Sequence, residues 1–259
     1  MAAHRREMLE RFHGHLHDTW RRLALSVPGG WVADARGLVC IATGSSSPSF
    51  NLAIASGDPV DPPAALDAAS AHYRSAGLRW LLKLQPELDR AVVAQAQRRG
   101  IDFDEEPVYA LSPRAWEAAA TQPPAGLSVS VAGRDTIEDA VRCFAEAFDA
   151  ERDDVRPVLG PNLLAVPSFT VYIGYLAGEP VATSMLATTQ AVQVAGVYSV
   201  ATRPANRGRG FGTELTAVAV RAAQAQGYDT VMLEPSPIGA AMYRRMGFEP
   251  FTTYFEAVT

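Results

Sequence analysis

The sequence predicts a protein of the α/β (α+β) class with two tandem domains. Segments with the apolar pattern of strands alternate along the chain with segments that have the three-and-four spacing of amphipathic helices. Residues 112–126 are rich in Ala and Pro and divide the chain unequally. Residues 78–111 and 230–258 both give a strand, a helix, an Arg-Arg pair and an aromatic strand, which favours duplication. We therefore predict domains at 1–111 and 127–259, joined by a linker at 112–126.

Composition and charge exclude several classes of protein. Of the 259 residues, 48% are hydrophobic and 20% are charged, which is typical of globular proteins and not of disordered ones. The formal net charge is −5, whereas nucleic-acid binding needs an excess of basic residues. No apolar run approaches the roughly 18 residues that span a membrane, and the polar first ten residues lack the apolar core of a signal peptide. We therefore expect a cytoplasmic protein with neither nucleic-acid nor membrane partners.

The first part of the chain begins with a helix whose apolar residues recur at helical spacing until Pro28-Gly29-Gly30. Three short apolar runs separated by Gly-rich turns then predict an antiparallel meander. Asp61 followed by two prolines is typical of a helix start. The predicted elements are a helix at 4–25, strands at 31–33, 38–42 and 50–55, a helix at 61–77, a strand at 80–84, a helix at 86–99 and a strand at 103–111.

The second part begins with a strand and an amphipathic helix, for which Asp135 or Thr136 is the predicted cap. Ala177-Gly178-Glu179 predicts the turn between the next two strands. The predicted elements are a strand at 127–131, a helix at 136–148, strands at 169–176, 180–187 and 191–202, a helix at 212–226, a strand at 230–233, a helix at 238–246 and a strand at 248–258.

A Gly-rich loop with two arginines carries the sharpest chemical signal: Arg207-Gly208-Arg209-Gly210-Phe211-Gly212, between a predicted strand and a predicted helix. Glycines let the backbone adopt positive φ and approach a ligand closely, and N–H groups at a helix start attract an anion. The two arginines add charge that suits a pyrophosphate. The alternative is a tight strand-to-helix turn without a ligand. The loop has neither the Gly-Lys-Ser/Thr ending of a P-loop nor the glycine spacing of a Rossmann fingerprint.

A second motif, Tyr243-Arg244-Arg245-Met246-Gly247-Phe248, follows near the carboxyl end. Together with the Arg-x-x-Gly-x-Gly loop and the order of elements over residues 127–259, it resembles the GNAT superfamily of acyl-CoA-dependent N-acetyltransferases. The resemblance implies a mixed, mostly antiparallel central sheet flanked by helices. It also implies tandem GNAT-like domains, with acetyl-CoA as cosubstrate and no metal.

The resemblance implies cofactor contacts for individual residues. Residues Arg207 to Gly212 would surround the CoA pyrophosphate with backbone amides, and Thr213 could add its hydroxyl. The strand Val200-Ala201-Thr202 would diverge from its neighbour and pair its backbone with the pantetheine arm.

The resemblance also implies a general acid. Tyr243 corresponds to the tyrosine that protonates the CoA thiolate in many relatives, and a pKa near 10 would keep it protonated at neutral pH. The alternative for Tyr243 is an aromatic side chain packed under the cofactor. Ser236 and Gly239 depart from the Asn and Ala that many members carry, although Ser236 can still donate a hydrogen bond.

The general base is not identified by the sequence. The strand ahead of the Gly-rich loop contains no carboxylate where relatives often have Glu. Glu234, at the end of a predicted strand, is the leading candidate. The others are Glu146, Asp149, Glu151, Asp153 and Asp154.

Two other groups of residues are expected to be structural. His13, His15 and His17 lack acidic or Cys partners for a metal. Cys143 has the pattern of a core residue. In the first part, residues 56–63 occupy the place of the Gly-rich loop without its motif. We expect this domain to be degenerate, to have lost cofactor binding, and to wall one side of the acceptor cleft.

The predicted function is transfer of an acetyl group from acetyl-CoA to a primary amine in a ternary complex. Backbone N–H groups near Val200 would polarise the thioester carbonyl. A small-molecule amine is the expected acceptor and a protein amine is the alternative. The alternatives for the activity are an acetyl-CoA-binding sensor without turnover and a transferase that uses a longer acyl-CoA or an acyl-carrier thioester. Whether the protein is a monomer or a homodimer stays open.

Overall fold

The computed structural model describes residues 2–112 and 123–259, which form two compact units. The first unit contains the described residues up to Pro107 together with Thr252–Thr259, and the second contains those of Val108–Phe251. Most of the predicted linker at 112–126 lies outside the described residues, so that domain boundary stays a prediction. No helix in the described ranges is long and apolar enough to cross a membrane.

The elements that contribute to the first unit are α1 Ala2–Ser26, β1 Trp31–Ala35, β2 Leu38–Ala42, β3 Asn51–Ala55, α2 Pro62–Ala76, β4 Leu81–Leu84, α3 Arg90–Arg98, the start of β5 Asp104–Leu111 and the end of β11 Glu249–Val258. The strand order is β1–β2–β3–β4–β11. Only β3 and β4 are parallel in this order, and the predicted antiparallel meander is confirmed.

The first unit buries the side chains that the helical spacing predicts. Leu9, Phe12 and Leu16 of α1 are almost fully buried. Asp61 caps α2, as predicted, because its side chain accepts a hydrogen bond from the Ala64 N–H. The helix predicted at 86–99 begins only at Arg90. The Gln85 side chain binds the next backbone N–H groups, at Glu87 and Leu88, and holds them in a turn.

The second unit contains the end of β5 Asp104–Leu111, then β6 Leu127–Val131, α4 Ile137–Phe148, α5 Arg152–Leu159, β7 Phe169–Leu176, β8 Glu179–Thr189, β9 Val194–Thr202, α6 Phe211–Ala225, β10 Val231–Leu233 and α7 Ala240–Arg245. The strand order is β5–β10–β9–β8–β7–β6. The β9–β10 pair is parallel and the others are antiparallel. The mixed, mostly antiparallel sheet flanked by helices is thereby confirmed.

Two features of the second unit differ from the sequence prediction. The sequence pattern does not predict helix α5, because its eight residues are strongly charged and include Pro157. Thr136 is the residue before α4 but makes no side-chain cap, since its hydroxyl oxygen accepts from the Gly133 N–H.

Buried histidines predict that the first unit loses stability in acid. Burial lowers the pKa of His13 to about 4 and that of His15 to about 3, so both stay neutral in the folded chain. In the unfolded chain both histidines take up a proton below pH 6.5, which stabilises the unfolded state. Each histidine should therefore lower the free energy of unfolding by about 2 kcal/mol at pH 5. Burial also raises the pKa of Asp89 to about 7, which opposes this loss by about 2 kcal/mol because unfolded Asp releases its proton near pH 4.

We therefore expect Asp89→Asn to lose more stability than the wild type between pH 7 and pH 5. The measurement is urea unfolding of both proteins at the two pH values. Equal losses in the two proteins would contradict the role given to Asp89.

Candidate functional site

Strand β9 leaves one of its neighbours after its third residue, Gly196. It pairs with β8 up to Thr202. In the described part of the chain, it pairs with β10 only at Ala195 and Gly196. The N–H and C=O groups of its second half that point away from β8 can therefore reach a bound ligand. Val200, Ala201 and Thr202 all lie in this diverging segment.

A β-bulge lies within the diverging segment. Thr183 of β8 faces Ala201 and Met185 faces Tyr198, so the single residue between them faces both Ser199 and Val200. Ser199 has φ 51°, in the left-handed region that residues other than Gly and Asn rarely adopt. A bulge bends its strand and turns backbone groups in new directions. No local sequence pattern predicts this bulge, because Ser199 carries no turn signal.

The Gly-rich loop ends in an uncapped helix start. Gly208 and Gly210 have φ of 77° and 81°, and Gly210 is the residue before α6. The Glu214 N–H donates to the Gly210 carbonyl, so the three preceding N–H groups lack an acceptor within the helix. These donors belong to Phe211, Gly212 and Thr213. Because the N-cap is a glycine, it has no side chain that could accept from these N–H groups.

The close surroundings of Gly212 show that three elements meet there. A Cβ placed on Gly212 would lie 3.4 Å from Thr202 Oγ1, 3.6 Å from Met242 Sδ and 3.9 Å from Val200 Cγ1. The bulged end of β9, the start of α6 and helix α7 therefore lie within van der Waals reach of one backbone position. The structure thus brings together residues that the sequence proposed separately as the pantetheine strand, the pyrophosphate loop and the helix of Tyr243.

The two arginines of the loop differ in their contacts. Arg207 is held by backbone: its Nη2 donates to the Ala147 carbonyl at 2.6 Å, and its Nε donates to the Thr202 carbonyl at 3.3 Å. The Arg209 guanidinium lies 4.8 Å from the centre of the Phe211 ring and stays exposed. The Phe211 side chain is itself buried in the core, so only its N–H can face a ligand. Arg209 is consequently the better placed of the two to meet an incoming anion.

Tyr243 is buried on α7, and its ring lies against Phe248 and Gly239. It is 6% exposed, and its ring packs edge-on against Phe248 at 5.8 Å. A Cβ on Gly239 would lie 2.9 Å from Tyr243 Cε2, so the ring takes space that an alanine would need. Burial raises the pKa of Tyr243 to about 12, and a hydrogen bond with Thr216 partly opposes the shift. The phenol is therefore fully protonated at neutral pH, as a general acid must be.

Glu234 and Ser236 lie between β10 and α7. Glu234 directly follows Leu233, the last residue of β10, and is half-buried. Ser236 is exposed, and its hydroxyl oxygen accepts from the Gly239 N–H at 3.3 Å, which supports the turn into α7. Both residues follow the strand from which β9 diverges.

Most of the other carboxylates considered as bases have structural roles. Glu146 pairs with Arg203 at 2.6 Å, and Asp153 pairs with Arg156 at 2.5 Å. Asp149 ends α4 with φ 51°. Glu151 is the residue before α5 and Asp154 lies in its first turn, where negative charge stabilises a helix.

His13, His17 and Cys143 are held in the interior of their units. The Nε2 atoms of His13 and His17 each lie 2.6 Å from the Ala55 carbonyl oxygen. Burial raises the pKa of Cys143 to about 12, so its thiol is unreactive at neutral pH. Within the described residues, no three His, Cys, Asp or Glu side chains form a group that could hold a metal ion.

Comparison with protein families gives a match over the second unit. Residues 128–251 match the model described as an acetyltransferase (GNAT) domain. Residues 128–251 are a GNAT domain. Its bounds enclose every candidate site residue, from Val200 to Tyr243. A comparison with curated proteins returns no match.

Solved structures extend the similarity of the fold to both units. A GCN5-related N-acetyltransferase from Kribbella flavida is 22% identical with a TM-score of 0.75, over 96% of this chain and 94% of that one. A tandem GNAT protein from the clavulanic acid biosynthesis pathway is 16% identical with a TM-score of 0.57, over 85% and 78%. A GCN5-related N-acetyltransferase-like protein from Streptococcus suis is 14% identical with a TM-score of 0.59, over 89% and 88%. These likenesses show the tandem GNAT fold.

The start of α2 in the first unit differs from the start of α6, because its first N–H groups are missing or occupied. Pro62 and Pro63 open α2 and have no N–H groups. The Asp61 carboxylate occupies the next N–H, that of Ala64, at 3.1 Å. An anion at this helix start would find no free donor in the first turn and would meet a negative charge. This is the physical counterpart of the missing Gly-rich motif.

Proposed function

We propose that the protein transfers an acetyl group from acetyl-CoA to a primary amine. The convergence at Gly212 carries the proposal: an uncapped helix start, a bulged and diverging strand, and the helix of a buried, protonated tyrosine meet at one place. Membership in a GNAT family is consistent with this chemistry but does not specify the acceptor.

In the proposed complex, the CoA pyrophosphate accepts hydrogen bonds from the N–H groups of Phe211, Gly212 and Thr213. Such charge-assisted bonds are stronger than neutral ones, and the helix dipole adds to them. Arg209 supplies a positive charge. Arg207 shapes the loop, because its Nε and Nη2 donate to backbone carbonyls.

The pantetheine arm then pairs with the diverging edge of β9 at Val200, Ala201 and Thr202. The bulge at Ser199 directs a backbone N–H near Val200 toward the thioester carbonyl, where negative charge develops as the amine attacks. Amine and thioester are held together in one complex, so the transfer is direct.

Two proton transfers accompany the reaction. Tyr243 gives its phenolic proton to the departing thiolate. The attacking nitrogen must lose a proton, and Glu234 is the proposed acceptor because it follows the strand that borders the cleft. Among the described carboxylates considered, Glu146 and Asp153 are already paired with arginines.

The first unit is proposed to bind no acetyl-CoA, since prolines and Asp61 close the start of α2. Titration calorimetry with acetyl-CoA should therefore give one site per chain. The wall of the acceptor cleft that the sequence assigns to this unit stays a proposal.

The test of the proposed function is a thiol-release assay with acetyl-CoA and a panel of small-molecule amines, followed by mass spectrometry of the products. We expect CoA release that depends on the amine and a product heavier by one acetyl group. Binding without release over the whole panel would contradict the transferase and favour a sensor. Faster release from longer acyl-CoA thioesters would contradict acetyl as the transferred group.

A further inference from the structure

The carboxyl end of α4 carries a charge of the wrong sign for a helix end. Its last turn is Ala145-Glu146-Ala147-Phe148, in which the one charge is negative. The last carbonyl groups of an α-helix have no donor within the helix, and the helix dipole favours positive charge there. Such an end is stabilised by basic side chains that come from elsewhere in the chain.

Two arginines from the segment after β9 meet this end of α4. The Arg203 Nε lies 2.6 Å from Glu146 Oε2. The Arg207 Nη2 donates to the Ala147 carbonyl at 2.6 Å, and its Nε donates to the Thr202 carbonyl at 3.3 Å. Because a guanidinium is a rigid fork of donors, one side chain holds the last turn of α4 and the end of β9 together.

We propose that Arg207 is a positioning residue that couples the last turn of α4 to the Gly-rich loop, so that acetyl-CoA binding at the loop stabilises this turn. This inference rests on the proposed function. It differs from the part that the resemblance gives to Arg207, which is contact with the pyrophosphate. Because coupling is reciprocal, breaking the contact with α4 must weaken acetyl-CoA binding.

The Gly-rich loop depends on anchors at its two ends. Gly208 and Gly210 both have positive φ, and glycines give the backbone many other conformations. The far end of the loop is held by Phe211, whose side chain is buried in the core. The near end is held by Arg207. A loop that is already fixed loses less conformational entropy when a ligand binds, which raises the affinity.

The binding test compares Arg207→Gln with Arg207→Lys by titration calorimetry with acetyl-CoA. Lysine keeps the positive charge, but its compact ammonium cannot replace the fork that joins the two carbonyls. We expect both variants to raise the Kd roughly tenfold. If Arg207 acted through its charge on the pyrophosphate, Arg207→Lys would keep most of the affinity. The control is Arg142→Gln, which removes a contact between α4 and Glu179 at 2.9 Å and should keep the wild-type Kd.

Hydrogen exchange measures the α4 turn itself. The N–H groups of Asp149 and Ala150 both donate to the Ala145 carbonyl, so their exchange reports opening of this turn. In the free protein, exchange should be faster in both Arg207 variants than in the wild type. Acetyl-CoA should slow it in the wild type and slow it less in the variants.

Three results would each overturn the proposal: exchange that is unchanged in both variants, an affinity loss confined to Arg207→Gln, or a wild-type turn that acetyl-CoA does not protect. A protein that shows the coupling but releases no CoA with any amine would overturn the proposed transfer and leave the role of Arg207 supported.

Discussion

Replacing Tyr243 by Phe should lower kcat by on the order of 10²–10⁴-fold, the range that a positioned general acid contributes. The substitution removes one oxygen from a ring that the core already holds, so the fold and the cofactor site should persist. The KM for acetyl-CoA should change little, because the proposed cofactor contacts lie on β9 and α6. The measurement is steady-state kinetics with an amine that the screen has identified.

The matched control for this substitution is Tyr228→Phe. Tyr228 is 7% exposed, packs in the same core and lies outside the proposed site. Its variant should keep kcat. An unchanged turnover in Tyr243→Phe would remove this residue from the acid role and leave it as a packed aromatic side chain.

The raised pKa of Tyr243 adds a pH dependence with a definite sign. An acid is active while protonated, so activity is lost as pH rises through its pKa. Since burial moves that pKa from 10 to about 12, kcat should show no alkaline loss up to pH 10. A loss of kcat near pH 9 that vanishes in Tyr243→Phe would contradict the buried environment described for this phenol.

The parts of the site that the sequence could predict depend on local patterns. The Gly-rich loop and the start of α6 can be predicted because few residues other than glycine adopt a positive φ. The amphipathic α4 can be predicted from the spacing of its apolar residues. The bulge at Ser199 depends on the register between β8 and β9, which no local pattern contains. The contact of Arg207 with Ala147 joins residues 60 positions apart.

Sequence patterns also do not say which strand pairs with which. Periodicity predicts β11 as a strand but does not say which strand it pairs with, and Thr252–Thr259 belong to the first unit, with β4.

Replacing Gly210 by Ala should weaken acetyl-CoA binding about a hundredfold, because several charge-assisted hydrogen bonds depend on the loop geometry. Gly210 has φ 81°, and an added Cβ would also lie 3.4 Å from Pro124 Cγ. The strain should turn the peptide before Phe211 and move the first free N–H groups of α6. Gly178→Ala is the matched control: its φ is 83°, no atom lies within 4 Å of its Cβ, and it occupies the turn between β7 and β8.

Titration calorimetry with two ligands can assign the lost affinity to the pyrophosphate. Acetyl-CoA carries the pyrophosphate, whereas acetyl-pantetheine has only the arm that β9 is proposed to bind. Gly210→Ala should weaken acetyl-CoA binding and leave acetyl-pantetheine binding at the wild-type level, while Gly178→Ala should alter neither. If Gly210→Ala lowers the affinity for both ligands equally, the loop shapes the whole cleft and the uncapped start of α6 is not the anion site. If Gly210→Ala lowers neither affinity, the Gly-rich loop is a strand-to-helix turn without a ligand, which is the alternative that its sequence leaves open.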